Sequence, residues 1–273
     1  MAGKLGIVAG QGTLPHMIAA NCRSEGRDVF MIAITGETDP DLIGDTDHVW
    51  RPLGGIGGTI KALKSAACED LIFVGRMERP DFGNLKLDMR GTLLLPRLIK
   101  AATKGDDAII SVLVTTFESE GFNVVAVEDV LKSLVAEAGT PTIRQPDEAD
   151  IDDIARGREV IEVLGELDIG QGAVIRRGHV IAVEAAEGTD RMIARSADFM
   201  DGGQAGILIK MPKPGHERRV DLPTIGVETV RNAAAAGLAG IVVEAGGALM
   251  VERERMIELA NDTGLFLHVF SSD

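Results

Sequence analysis

Short, continuous runs of apolar residues alternate with segments of helical pattern along the first half of the chain. Lys4–Ala9, Val29–Ile34 and Leu71–Gly75 are such runs, and Asn123–Val127 is a fourth. Helices are expected between them, at about 15–25, 58–67, 93–102 and 105–117. A strand that is apolar throughout is buried on both faces, as in a parallel sheet covered by helices. The pattern therefore predicts an α/β fold whose N-terminal part is a Rossmann-like, doubly wound parallel sheet.

The second half of the chain follows a different pattern. Ala173–Arg176 and His179–Glu184 flank Arg177-Gly178, which predicts a β-hairpin because glycine supplies the positive φ of a tight turn. Further strands at 206–211, 241–244 and 265–270 alternate with helices at about 151–167, 189–197, 227–236 and 253–263. A hairpin followed by alternating elements predicts a mixed α/β domain, and not a second copy of the first.

The chain of 273 residues is long enough for one large domain or two medium ones, each with its own core. We assign 1–136 to the Rossmann-like domain and 151–273 to the C-terminal α/β domain. The stretch 137–150 contains two prolines and no apolar periodicity, and it is interpreted as the linker. A helix is expected to follow it, with Asp150 as the N-cap.

Charge and composition limit the partners of the chain. The formal net charge of −14 repels phosphate backbones, and an aromatic share of 3% with no Tyr argues against base-stacking platforms, so no nucleic acid partner is expected. Cys22 and Cys68 lack CxxC spacing, which fits a reducing, cytoplasmic setting. Neither a signal peptide nor a transmembrane run is expected, and peripheral contact with the inner membrane stays open.

A glycine-rich turn, Gly10-Gln11-Gly12-Thr13-Leu14-Pro15, follows the first strand. Backbone N–H groups at a helix start bind anions, which predicts a phosphate or nucleotide cradle. The third glycine of the dinucleotide fingerprint is replaced by Pro15, and Glu37 is a loose match for its ribose-binding acid. The alternative is a tight turn with Pro15 at the first helical position. Arg76 and Met77 follow the strand 71–75 at the same edge and are expected to contact phosphate and either an acyl chain or a base.

Carboxylates are concentrated between the hairpin and the next helix. Glu184, Glu187 and Asp190 surround Gly188 and Thr189 there, and such oxygens suit Mg²⁺. The alternative is that Thr189 caps the helix and Asp190 complements its dipole, which leaves Glu184 unexplained. Gln171 precedes the hairpin and is expected to point into a cleft.

The loop Lys210–Gly226 combines cations, one aspartate and three prolines. Lys210 and Lys213 suit the charge of a transferring phosphoryl group, and Asp221 suits a metal or a water. Prolines fix the backbone, which favours a preorganised site. The alternative is a solvated, positively charged surface loop.

Three strings carry a resemblance to a known family: GIVAGQGTLP at Gly6–Pro15, AVEAAEGTD at Ala182–Asp190 and RVDLPTIG at Arg219–Gly226. Together they resemble the UDP-2,3-diacylglucosamine pyrophosphatases of the LpxI type, over nearly the whole chain. The family usually has Gln-Asp where this chain has His216-Glu217, which leaves the roles of these two positions open.

The resemblance implies a cytoplasmic homodimer that binds a lipid-linked UDP-sugar between its domains. The implied reaction of lipid A biosynthesis yields UMP and 2,3-diacylglucosamine 1-phosphate (lipid X) with Mg²⁺ or Mn²⁺. Asp221 corresponds to the family's essential acid.

We therefore expect Asp221, Glu184 and Asp190 to hold the metal, and Lys210 and Lys213 to assist catalysis. The residues expected to contact the substrate are Gly10, Gln11, Gly12, Thr13, Leu14, Arg76, Met77, Gln171, Glu187, Gly188, Thr189 and Thr224. Two other classes stay open: a nucleotide-dependent oxidoreductase, which a nicotinamide spectral change would reveal, and a non-catalytic nucleotide or lipid sensor, which would release no UMP.

Overall fold

The computed structural model describes residues 3–78, 80–200, 203–213, 217, 219–220 and 222–271. The chain divides into two compact units. Unit 1 comprises Met1–Lys132 together with the short segment Glu217–Val220, and unit 2 comprises Ser133–His216 and Asp221–Asp273. Unit 1 is therefore discontinuous in sequence.

Unit 1 contains a parallel sheet in the order β3-β2-β1-β4-β5. Its elements are β1 (Lys4–Ala9), α1 (Leu14–Ser24), β2 (Val29–Ile34), β3 (His48–Arg51), α2 (Ile56–Ser65), β4 (Cys68–Val74), α3 (Met89–Ala102), α4 (Asp106–Ser119), β5 (Asn123–Val124) and α5 (Val127–Val130). The predicted Rossmann-like α/β fold is confirmed. The direction of winding reverses between β1 and β4, and ligands of such sheets bind beside the carboxyl ends of these two strands.

Burial explains why the strands at the centre of this sheet were predictable and β3 was not. Every residue of β2 is buried, as a strand covered on both faces requires. β3 lies at the sheet edge, and its residues alternate between exposed and half-buried. An edge strand needs no continuous apolar run, so the sequence contains no strong signal for it.

Both cysteines of the chain lie in unit 1. Cys22 is on α1 and Cys68 begins β4, and their relative exposures are only 1% and 8%. Both are free thiols. Burial raises the pKa of each thiol, which keeps it protonated and unreactive.

Unit 2 contains a mixed sheet in the order β12-β10-β8-β6-β7 and a small two-stranded sheet, β11-β9. Its elements are α6 (Glu148–Glu166), β6 (Gly172–Arg176), β7 (His179–Val183), α7 (Thr189–Ser196), β8 (Ile207–Lys210), β9 (Thr224–Ile225), α8 (Val227–Ala235), β10 (Gly240–Glu244), β11 (Leu249–Met250), α9 (Arg253–Thr263) and β12 (Phe266–Phe270). Strands β8, β10 and β12 are parallel, whereas β6 runs antiparallel to β8. This mixed α/β architecture was predicted.

The hairpin of β6 and β7 is closed by the turn at Arg177-Gly178. Both residues have positive φ, 50° and 74°, as a tight hairpin turn requires. The carboxylate of Asp153 on α6 accepts the N–H groups of Arg177 and Gly178 at 2.8 and 2.6 Å. A buried acid thus fixes the turn from the helix that covers it.

The start of α6 differs from the prediction. The N-cap is Asp147, whose side chain accepts the N–H of Asp150, so the prediction of Asp150 as N-cap was wrong. Asp150 completes a capping box instead. The preceding segment runs along β12 within unit 2: Gly139 and Val269 exchange two backbone hydrogen bonds.

No helix among the described residues is both long enough and apolar enough to cross a bilayer.

Candidate functional site

The glycine-rich turn of unit 1 lies at the carboxyl end of β1, directly beside the end of β4. Gln11 and Arg76 form an isolated antiparallel bridge, with N–H to oxygen distances of 2.7 and 3.2 Å. A Cβ on Gly10 would clash with the Arg76 carbonyl oxygen and lie 2.9 Å from the carbonyl carbon of Gly75. Glycine at position 10 is therefore required for the close approach of the two turns.

Glu37, which follows β2, stabilises the two adjoining turns through hydrogen bonds. Its Oε2 accepts the side-chain N–H of Gln11 at 2.8 Å and the backbone N–H of Glu78 at 3.4 Å. The sequence suggested only a loose match to a ribose-binding acid at this position. Its structural role depends on the meeting of three strand ends, which no spacing within the chain reveals.

The end of the turn is open towards solvent. Gly12 has a φ of 91°, and a Cβ there would meet nothing within 4 Å. Thr13 is the N-cap of α1 but makes no side-chain capping bond, and the first turn contains no acidic residue. The first N–H groups of a helix lack intrahelical partners. The sequence-predicted group Gly10–Leu14, with Arg76 and the 37% exposed Met77, thus lies together at a place suited to an anion.

In unit 2, polar residues gather where β6 begins and its two neighbours end. Gly172 pairs with Lys210 of β8 on one side, and its carbonyl accepts the N–H of Glu184 at 2.8 Å on the other. Glu184 and Lys210 are 8% and 5% exposed, respectively. A buried acid and a buried base therefore flank a residue that has no side chain.

The carboxylate of Glu184 has two different oxygens. Oε1 accepts the hydroxyl of Thr189 at 2.7 Å, whereas Oε2 is buried and meets no hydrogen-bond donor among the described residues. A Cβ on Gly172 would lie 2.7 Å from Oε2, so glycine leaves the space beside this oxygen clear. The helix cap is Gly188, so the alternative in which Thr189 caps α7 was wrong.

Gln171 precedes Gly172 and has a second buried oxygen without a partner in the described part of the chain, its Oε1. Its backbone carbonyl accepts the N–H of Met211, which fixes the residue to the end of β8. Unsatisfied buried acceptors are rare in folded proteins, and each calls for an explanation such as an ion or a ligand donor. Two such oxygens occur here, one in Gln171 just before β6 and one in Glu184 just after β7.

The remaining predicted residues of unit 2 have defined partners. Lys210 Nζ donates to the carbonyl of Thr224 at 3.4 Å, whereas Lys213 Nζ lies 2.6 Å from Oδ1 of Asp168. The Lys213–Asp168 pair is largely buried, with side-chain exposures of 13% and 14%. Asp168, which sequence reasoning missed, orients Lys213.

Glu187 and Asp190 point to different partners. Glu187 accepts two N–H groups of Arg195 at 2.8 and 3.1 Å, and backbone N–H donors followed by Arg195 lower its pKa. Oδ1 of Asp190 accepts the side-chain amide of Asn232 on α8 at 2.9 Å. Both carboxylates therefore have protein donors, which Oε2 of Glu184 does not.

Asp221 and His216 lie outside the described residues. The residues on either side of Asp221 are anchored: the Leu249 N–H donates to the Pro223 carbonyl at 2.8 Å, and the Glu217 N–H donates to Oδ1 of Asp107 at 2.7 Å.

Among the described residues, one atom of this site is well suited to bind a cation. A buried carboxylate oxygen without a hydrogen-bond donor is a suitable ligand for a hard divalent cation, and Glu184 Oε2 is such an oxygen. Across the ranges that the structure describes, no group of three or more His, Cys, Asp or Glu side chains is arranged to hold a metal ion.

The chain is a two-unit α/β protein. Its Rossmann-like unit has a glycine-rich turn at the switch point of the sheet, and its second unit has buried polar groups at its strand ends. The sequence profiles of the LpxI N-terminal and C-terminal domains match residues 4–134 and 137–268. The chain belongs to the LpxI family.

A curated relative supports this assignment along the whole chain. The UDP-2,3-diacylglucosamine pyrophosphatase LpxI of Caulobacter vibrioides (strain ATCC 19089 / CIP 103742 / CB 15) is 43% identical over 270 residues, which cover 97% of this chain and 96% of the relative.

Solved structures are more distant. CobK precorrin-6A reductase has 10% identity and a TM-score of 0.34, over 100% of this chain and 89% of that protein. A putative epimerase from Burkholderia cenocepacia J2315 has 10% identity and a TM-score of 0.30, over 98% and 84%. Similarities this low carry no weight for fold or function.

Proposed function

We propose that this chain hydrolyses the pyrophosphate of UDP-2,3-diacylglucosamine, a step of lipid A biosynthesis. The products would be UMP and 2,3-diacylglucosamine 1-phosphate. The observation that carries the proposal is the 43% identity to a pyrophosphatase of that name over nearly the full length of both chains.

The glycine-rich turn of unit 1 is proposed to hold the nucleotide end of the substrate. Gly12 and Thr13 offer backbone N–H groups at the start of α1, and Arg76 adds a positive charge beside them. Glu37 acts through Gln11 by fixing the shape of the turn. It is therefore a positioning residue and does not need to contact the substrate.

The polar group of unit 2 is proposed to act on the phosphates. Lys210 would neutralise charge on a phosphoryl oxygen, and Lys213, oriented by Asp168, would stabilise the departing phosphate. Asp221 would orient the attacking water or hold a metal. Gln171, Glu187, Gly188, Thr189 and Thr224 would line the substrate around these groups.

We infer a requirement for Mg²⁺ or Mn²⁺, with Glu184, Asp190 and Asp221 as its protein ligands. When bound, such a cation offsets the negative charge of the phosphoryl oxygens. Glu184 supports this inference best, because its Oε2 is buried without a donor. Asp190 would have to share its carboxylate with Asn232.

The test is incubation with UDP-2,3-diacylglucosamine and Mg²⁺ in detergent, followed by measurement of UMP. Asp221→Asn should lower turnover at least about a hundredfold while substrate still binds. Asp198→Asn, at an exposed site of unit 2, serves as the matched control and should leave turnover unchanged. Near-normal turnover of Asp221→Asn would refute the assigned role, and activity that persists after chelation would refute the metal requirement.

The homodimer and the cytoplasmic location are also proposals, which rest on the family resemblance. Light scattering of the purified chain measures the first, and cell fractionation measures the second.

A further inference from the structure

Helix α3 of unit 1 exposes an unusual number of apolar side chains. Met89 is 85% exposed, Leu93 74% and Ile99 46%. The opposite side of the helix, with Leu94 and Leu98, packs into the core of unit 1. The exposed apolar side chains are therefore a second face of the helix and not an incomplete core.

Basic residues share this exposed face. Arg97 follows Leu93 by four positions and Lys100 follows Arg97 by three, which places them on one side of the helix. Arg90 lies at the edge of the same face, and α3 contains no acidic residue. We name Met89, Arg90, Leu93, Arg97, Ile99 and Lys100 the α3 patch.

The positive charge around the patch is largely unpaired. Segment 86–104 carries five basic residues and one acid in a chain with a net charge of −14. That acid, Asp88, is occupied in accepting the N–H groups of Gly91 and Gly58. Arg90 pairs with Glu120 of the neighbouring α4–β5 turn. Around the patch, the basic residues without an ion pair to any described residue are Lys61, Lys86, Arg97, Lys100 and Lys104.

A depression of about 490 Å³ adjoins the start of α3. It is lined on the α2 side by Lys61 and Lys64 and on the α3 side by Arg90, with Glu120 as its acidic residue. Lys64 and Arg90 both pair with Glu120, so Lys61 contributes the uncompensated charge. The depression can accept an anionic group next to the exposed apolar side chains.

We propose that the α3 patch docks on the surface of a bilayer that contains anionic lipids. An interfacial helix has apolar side chains that enter the headgroup region and basic side chains that attract anionic headgroups, and α3 has both. The inference rests on the proposed function, because the substrate proposed there is a lipid. A docked enzyme would reach a substrate that stays in the bilayer.

Charge favours lipid over a second copy of the chain as the occupant. A two-fold interface through this patch would place the same basic side chains of both copies against one another. Anionic headgroups complement those charges instead, and they tolerate the exposed Leu93 and Met89.

The experiment measures co-sedimentation of the full chain with two kinds of vesicle, pure phosphatidylcholine and phosphatidylcholine mixed with phosphatidylglycerol. The unsubstituted chain should bind the mixed vesicles, and added salt should weaken this binding. Arg97→Gln/Lys100→Gln should bind about 30-fold more weakly, because each removed charge costs roughly a factor of five near an anionic surface. Met89→Gln/Leu93→Gln should lose about tenfold through its apolar contacts.

Matched controls come from unit 2. Ile143→Gln/Leu167→Gln removes two apolar side chains that are 84% and 67% exposed, and Arg231→Gln/Arg255→Gln removes two exposed charges. Both control variants should bind the mixed vesicles like the unsubstituted chain. Circular dichroism checks that every variant remains folded.

Equal binding of the patch variants and the unsubstituted chain, including no binding by any of them, would overturn the proposal. Conversion of a dimer to a monomer by Met89→Gln/Leu93→Gln, without vesicle binding, would assign the patch to a second copy. The same variants assayed with detergent-dispersed substrate should release UMP at the unsubstituted rate. Absence of UMP there would contradict the proposed reaction while leaving the vesicle result intact, so the two failures are distinguishable.

Discussion

At the scale of single residues, the two carboxylate oxygens of Glu184 have different surroundings. One oxygen is occupied by Thr189, and the other is buried beside Gly172 without a donor in the described structure. Burial of a charged oxygen without a partner is unfavourable for the folded state. A residue that weakens the fold in this way persists more readily where binding requires it.

Glu184→Gln is expected to lower hydrolysis at least about tenfold and leave the melting temperature equal or higher. Gln keeps an acceptor for Thr189 and removes the buried charge, but an amide is a poorer cation ligand than a carboxylate. Turnover and thermal unfolding measure the two effects. Glu162→Gln, at an exposed position of α6, is the control. Unchanged turnover in Glu184→Gln would contradict the proposed role.

Gly10→Ala is expected to destabilise the chain by about 1–3 kcal/mol, because the new Cβ would press against the carbonyl groups of Gly75 and Arg76. Urea unfolding measures the change. Gly58→Ala in α2 is the matched control: its Cβ would make ordinary contacts at 3.4 Å or more, so it should stabilise by up to about 1 kcal/mol through helix propensity. Equal effects of both substitutions would refute the steric argument.

The site residues divide by the kind of signal they leave in the sequence. Gly10, Gly12 and Glu184 interrupt local patterns, and these interruptions identified them. Asp168 was missed, and Glu37 was noted only as a loose match for a ribose-binding acid, because their roles depend on residues 45 and 26 positions away, Lys213 and Gln11. Such contacts are products of the tertiary fold, and a single sequence does not encode them in any spacing.

At the scale of elements, the local sequence pattern predicted the longer helices and strands and missed the short paired strands. β1, β2 and α9 match the predicted bounds residue for residue, because their burial follows a simple rule. β9 and β11, of two residues each, were missed since so short a pair has no periodicity. Their pairing depends on the anchoring of the loop around Pro223.

Asp88 connects two helices of unit 1. Its Oδ1 caps α3 through the N–H of Gly91, and its Oδ2 accepts the N–H of Gly58 in α2, each at 2.8 Å. Asp88→Ala is therefore expected to lower the free energy of unfolding by about 1–2 kcal/mol. Asp88→Asn keeps the acceptor for Gly91 and should lose less. Chemical denaturation measures both, and an equal loss in the two variants would refute the capping explanation.

The segment Glu217–Val220 should become less protected in acid. Arg219 donates to Glu217, to Glu118 and to the carbonyl of Val124, and its hydrogen bonds lower the pKa of Glu217. A carboxyl whose pKa is depressed in the folded state stabilises it above the ordinary carboxyl pKa. That contribution disappears as the pH falls through the depressed value.

Hydrogen exchange, corrected for the intrinsic effect of pH, should therefore accelerate in this segment below the ordinary carboxyl range. Arg219→Gln should exchange rapidly there even at neutral pH. A peptide from β12 is the internal reference, since its strand is buried in unit 2. A segment whose protection does not change with pH would contradict the ion-pair explanation.

At the scale of the whole molecule, the two units have separate hydrophobic cores, and unit 1 includes a piece of chain that follows most of unit 2 in sequence. The sequence pattern led to the assignment of two domains, although the length alone allowed one large domain or two medium ones. It did not predict the return of 217–220 to unit 1, since this depends on partners such as Asp107 and Glu118.

The two buried thiols give the chain a built-in reporter. Cys22 and Cys68 both belong to unit 1, and the sequence contains no other cysteine. A thiol-specific dye should label the native chain only at the pace at which unit 1 opens, whereas near-complete unfolding of unit 2 alone should leave both sulfurs unlabelled. Mass spectrometry can follow both processes in one sample: thiol labelling reports the opening of unit 1, and hydrogen exchange of β12 reports the opening of unit 2. Immediate labelling of the native chain would show that the thiols are accessible. The opening rate of unit 1 can thus be measured on the natural cysteines, without any engineered probe.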